Sequence, residues 1–116
     1  MNANERRQHP RIETALPLRF TFGNATYDTS LIDLSAAGIR FRTPLELALM
    51  GRVQIALELP GSDEGAAVPI TVTGVVVRSD PIDEDGGRMY DTAIFFQECS
   101  DADSAKLDRF VSGRLG

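Results

Sequence analysis

Apolar and polar positions alternate along most of this chain. In "LPLRFTF", residues 16–22, Leu16, Leu18, Phe20 and Phe22 fall on one side and predict a half-buried strand. Gly23 and Asn24 supply a turn. "YDTSLI" (27–32) reads as a second strand, less cleanly, and "IRFR" (39–42) as a third with Ile39 and Phe41 inward. "VQIALEL" (53–59) alternates throughout, with Val53, Ile55, Leu57 and Leu59 on one face, until Pro60 and Gly61 stop it. "VPITVTGVVVR" (68–78) predicts a long strand with Gly74 at a bulge or bend, and "MYDTAIFF" (89–96) a last one. "GSDEGAA" (61–67) and "DPIDEDGG" (80–87) read as acidic loops. "PLELALMG" (44–51) fits a loop or one short helical turn.

Six short strands with turns between them suggest an antiparallel barrel or sandwich. The tail changes period. Ser100 precedes "DADSAKLDRFVSG"; Ser100 or Asp101 can cap a helix, and Asp101 and Asp103 suit its positive end. Leu107, Phe110, Val111 and Leu115 share one face, and Gly113 is placed to end the helix. That face is expected to pack on the barrel and close its core. The expected organisation is one domain: an arginine-rich leader over 1–12, a barrel over 13–99 and a helix over 100–116.

Composition narrows the chemistry. The chain has one His and one Cys, so a His/Cys zinc site within it is not expected. His9 stands beside Pro10 in the leader, where no catalytic base would be held rigidly. Neither a phosphate-binding GxxxxGK[ST] nor a GxGxxG after a strand is present. The expectation is a non-enzyme with no cofactor or metal. The lone Cys99, the lack of an apolar run able to span a bilayer and the absence of a signal-peptide core point to the cytoplasm.

The formal net charge is -5, yet residues 1–57 carry seven Arg against five acidic residues, and 58–116 five basic against twelve acidic. A broad basic face for DNA or RNA is not expected from that split; a small anion at one basic spot fits better. The densest positive charge is "ERRQHPR" (5–11), holding Arg6, Arg7 and Arg11. Pro10 makes this segment extended or turned; a turn at His9–Pro10 would bring Arg7 and Arg11 together, and a solvated basic tail is the other reading of the same residues. "DLSAAG" (33–38) lies between two strands. Asp33 and Ser35 share a face if the strand continues through them, and Gly38 permits close backbone approach or positive φ.

Arg7 to Arg11 as RxxxR and Asp33 to Gly38 as DxSxxG together resemble the PilZ domain, a bacterial family that binds cyclic di-GMP. "YDTAIFFQECSDADSAKLDRFV" is also similar to that family's closing strand and helix, with Ala93 where a Gly is common. The resemblance implies a six-stranded antiparallel β-barrel with a C-terminal helix. It implies a stand-alone receptor whose leader folds over the barrel as a clamp and engages a protein effector. The implied ligand site is Arg6, Arg7, Arg11, Asp33, Ser35 and Gly38. Arginine forks pair phosphates or read guanine, Asp33 accepts from guanine N1–H and the amine, and Ser35 bonds the ligand or braces the turn. Gly38 leaves room for the purine. Arg6, just before the pair, points to a stacked pair of ligands. Arg40 and Arg42 are expected to be solvated. The alternative is a PilZ-like adaptor that binds protein without nucleotide. Degenerate members of that kind generally lack the arginines or the Asp/Ser pair, both of which stand here.

Overall fold

A computed structural model describes residues 11–60, 67–84 and 86–115. Among them are seven strands and one helix: β1 (Ile12–Glu13), β2 (Pro17–Phe22), β3 (Ala25–Leu34), β4 (Gly38–Thr43), β5 (Arg52–Leu59), β6 (Val68–Glu84), β7 (Gly87–Cys99) and α1 (Asp101–Leu115). All pairings are antiparallel. The strands from β2 to β7 form a closed ring in the order β3, β2, β5, β6, β7, β4, and back to β3. The chain is thus a six-stranded antiparallel barrel with a C-terminal helix. β1 adds two residues to β3, pairing Ile12 with Leu34 and Glu13 with Asp33.

The alternation in sequence becomes the barrel wall. Along β5, Val53, Ile55, Leu57 and Leu59 are buried and every residue between them is exposed. Leu18, Phe20, Leu31, Ile39, Phe41, Ile70, Val72 and Ile94 complete the interior, with Phe20 centred 5.2 Å from Tyr27 and 5.0 Å from Phe41. Leu107 and Val111 of α1 join this core, and Phe110 packs partly against it. Ser100 caps α1: its Oγ accepts from the Asp103 N–H at 3.0 Å. Asp103 in turn accepts from the Thr71 N–H at 3.0 Å, tying the helix start to β6.

Several boundaries differ from the sequence reading: β3 extends two residues past "YDTSLI" at each end, taking in Asp33 and Leu34 of "DLSAAG", and β7 outruns "MYDTAIFF" to span Gly87–Cys99. "DPID" is strand, not loop: β6 runs on to Glu84 and pairs with β7 through the Gly86–Gly87 turn. Pro81 is tolerated because β5 pairs with β6 only as far as Val75, leaving an edge beyond it. Gly113 lies within α1 rather than after it. Ile12, assigned above to the leader, is buried in β1. The segment 44–51 is a loop whose buried Leu47 donates its N–H to Ser79 Oγ at 3.2 Å. Gly74 does sit at a register shift, where an added Cβ would lie 2.7 Å from Ile94 Cγ2.

Candidate functional site

The site is built around a bulge in β3. A strict two-residue step would put Asp33 on the same side as Leu31, inside an apolar core. The register shifts between Leu31 and Asp33 instead: Leu31 faces Phe41, Asp33 faces Arg40 and Leu34 faces Ile39. Leu34 takes the inward place at 0% exposure, and Asp33 turns to the outer side of the wall. There two guanidinium groups shield it. Arg11 Nη1 donates to Asp33 Oδ1 at 2.6 Å, and Arg40 Nη1 lies 3.5 Å from Oδ2. The Asp33 side chain is 11% exposed, that of Arg11 46%.

Arg40 was expected to be solvated and is not. Its Nε and Nη2 donate to Asp91 at 2.8 and 3.1 Å, a bidentate grip from β7. Hydrogen bonding to Asp91 raises the Arg40 guanidinium above its ordinary value; burial opposes this, and the charges of Asp91 and Asp33 add to it. Four charges therefore alternate across the wall, Arg11, Asp33, Arg40 and Asp91, drawn from β4, β3, β7 and the residue before β1. Sequence reasoning missed Asp91. Its only signal was an acid between Tyr90 and Thr92, just ahead of the apolar run 93–96 of the closing strand.

Ser35 braces the turn, one of the two roles expected of it, and Gly38 permits the close backbone approach expected there. β3 ends at Leu34, so Ser35 does not continue Asp33's face. The Ser35 N–H donates to the Gly38 carbonyl at 2.9 Å. Its Oγ accepts from the N–H groups of Ala37 and Gly38 at 3.1 and 3.2 Å. Ser35 is 1% exposed and braces the hairpin turn. A Cβ on Gly38 would overlap the Ile94 carbonyl oxygen and reach within 3.4 Å of its carbon. Gly38 serves the close approach of β4 to β7, where it pairs with Phe95. Arg6 and Arg7 lie outside the described residues.

Next to Arg11, an open polar cleft of about 510 Å³ is lined by Arg11, Ile12, Glu13 and Arg114. A second groove of about 290 Å³ runs between α1 and the ends of β5 and β6, and shares none of the RxxxR or DxSxxG residues. Among the described residues, no group of three or more His, Cys, Asp or Glu is arranged to hold a metal, and no helix is long and apolar enough to cross a membrane.

The PilZ domain profile matches residues 5–113, and the chain belongs to the PilZ domain family, a family of cyclic di-GMP receptors. Solved structures share the fold. The Bacillus subtilis inhibitor of motility MotI/DgrA superposes with a TM-score of 0.80 at 20% identity, over 95% of this chain and 51% of its own. PlzA of Borreliella burgdorferi, in complex with c-di-GMP, gives 0.67 at 9% identity, over 97% and 54%. The PilZ domain of YcgR from Escherichia coli, with c-di-GMP, gives 0.65 at 19%, over 93% and 90%. The chain thus spans about half the length of MotI/DgrA and PlzA. No curated protein matches by sequence.

Proposed function

We propose that this chain is a cytoplasmic cyclic di-GMP receptor that hands the signal to a protein partner. One observation carries the reading: Arg11 Nη1 lies 2.6 Å from Asp33 Oδ1, so the last residue of RxxxR meets the first of DxSxxG across 22 positions. Guanine offers N1–H and its exocyclic amine side by side, and a carboxylate accepts both. The base takes Arg11's place at Asp33, and the released Arg11 fork turns to a phosphate. The exchange keeps the nearly buried Asp33 carboxylate satisfied, because the two guanine N–H donors replace the one that Arg11 gave. Membership of the PilZ family and the cyclic di-GMP held by PlzA and the YcgR domain support the same reading.

Arg6 and Arg7 come down with the leader. They supply charge for the second phosphate, and Arg6 stacks on a second ligand, giving a stacked pair. Ser35 and Gly38 act through the turn that holds Asp33 in place. The covered leader is the surface a protein effector reads. Calorimetric titration with cyclic di-GMP, beside GTP and cyclic GMP, tests this. Binding of cyclic di-GMP in preference to the other two is expected. A folded, ligand-free protein that gives no heat at high micromolar cyclic di-GMP would favour an adaptor that works without nucleotide.

A further inference from the structure

We infer that Arg40 reads guanine O6 beside Asp33 and that Asp91 is the residue that aims it. The inference rests on cyclic di-GMP occupying Asp33. Asp91, with its side chain 14% exposed, grips Nε and Nη2 of Arg40 and so fixes the plane of the guanidinium. The remaining nitrogen, Nη1, sits 3.5 Å from Asp33 Oδ2. A charged N–H···O bond is ordinarily about 2.7–2.9 Å long, so Nη1 has donor capacity to spare. The Arg40 side chain is 33% exposed, and a ligand can reach it.

The pairing edge of guanine presents two donors and an acceptor in a row: amine, N1–H and O6. An acceptor pair flanked by a donor is its complement. Asp33 supplies the acceptors, with Oδ1 vacated by Arg11, and Arg40 Nη1 flanks Oδ2 as the donor. Adenine presents an acceptor at N1 and an amine in place of O6, which meet like groups at both positions. Arg40 is therefore a specificity residue and Asp91 a positioning residue acting through it.

The sign of the charge makes Asp91 informative. An acid near a dianionic ligand opposes binding by simple electrostatics. Its removal should tighten binding unless the acid orients something the ligand needs.

The test titrates cyclic di-GMP and cyclic di-IMP, which keeps O6 and N1–H but lacks the amine, into wild type, Asp91→Asn, Arg40→Met, their double variant and Asp33→Asn. Asp91→Asn should weaken cyclic di-GMP binding about ten-fold despite deleting a negative charge, the loss expected for a misaligned charge-assisted bond. Arg40→Met should weaken both ligands by the same factor, and adding Asp91→Asn to it should cost nothing further. Asp33→Asn should narrow the gap between the two ligands. If Arg40→Met does not fold, Arg40→Lys, which keeps the charge and loses the fork, carries the same expectation.

Equal or tighter binding by Asp91→Asn overturns the inference, as does an additive loss in the double variant. Narrowing of the ligand gap by Arg40→Met also overturns it, since Arg40 would then only steady Asp33. In all three cases a wild type that binds, and an Asp33→Asn that does not bind as well, leave the receptor reading standing. A wild type that fails to bind overturns both.

Discussion

Gly38 on β4 and Ile94 on β7 approach so closely that no side chain fits between them: a Cβ on Gly38 would overlap the Ile94 carbonyl oxygen. The obstacle is backbone in a closed ring, which cannot swing aside as a side chain would. Gly38→Ala should therefore destabilise the ligand-free barrel, by about 1–3 kcal/mol as overpacking typically does. Thermal unfolding without nucleotide checks this. An unchanged melting temperature would mean that β4 and β7 can separate at no cost.

Arg11 is half exposed, but its partner Asp33 is nearly buried, so Arg11→Ala should destabilise the ligand-free protein by about 1–3 kcal/mol, the cost of taking a partner from a buried charged group. Its affinity for cyclic di-GMP should fall about ten-fold or more, from the loss of a charge-assisted contact. Arg11→Lys should recover only part, because the planar fork is gone. Paired melting and titration curves separate the two effects.

Deletion of residues 1–10 removes Arg6 and Arg7 while leaving Ile12 in β1. Binding should be lost and the melting temperature nearly kept. Amide exchange gives the direct view: protection over residues 5–9 should arise only with ligand, whereas the buried, paired Ile12 should be protected throughout. Protection of 5–9 in the free protein would mean a clamp formed before the ligand arrives.

Burial pushes the Cys99 thiol up, and the nearby charges of Asp103 and Asp108 push it further. The native thiol thus keeps its proton at pH values where the unfolded chain releases it. In that window the native state binds more protons than the unfolded one, so this group's contribution to stability falls as pH rises. Alkylation by iodoacetamide near pH 9 should be slower in the native protein than in urea. Equal rates would show that the thiolate forms as freely in the fold as outside it.

The barrel was legible because its wall is written in local alternation: the inward residues of β5 can be named from seven letters. Asp33 and Arg11 were legible by spacing and residue type. The partnership of Arg40 with Asp91 was not, since it spans 51 positions and depends on which rung of β4 meets which rung of β7. The bulge that turns Asp33 outward was hidden for a like reason: "LID" gives no sign of where a register slips. "DPID" looked like a loop because proline and acids are poor strand formers, a rule that lapses where one edge of a strand has no neighbour.

That same ribbon has a bearing on how the protein keeps to itself. Where β6 outruns β5, its open side is a template on which a strand from another molecule could grow. The stretch carries Asp80, Pro81 and Asp83, with Arg78 and Arg88 beside the acids at 3.5 and 3.6 Å. Proline withholds a donor from any incoming chain, and the charged side chains would have to give up water to let another copy of the same ribbon dock. The residues that disguised this strand in the sequence are thus the ones that guard it against fibre-like growth in a crowded solution.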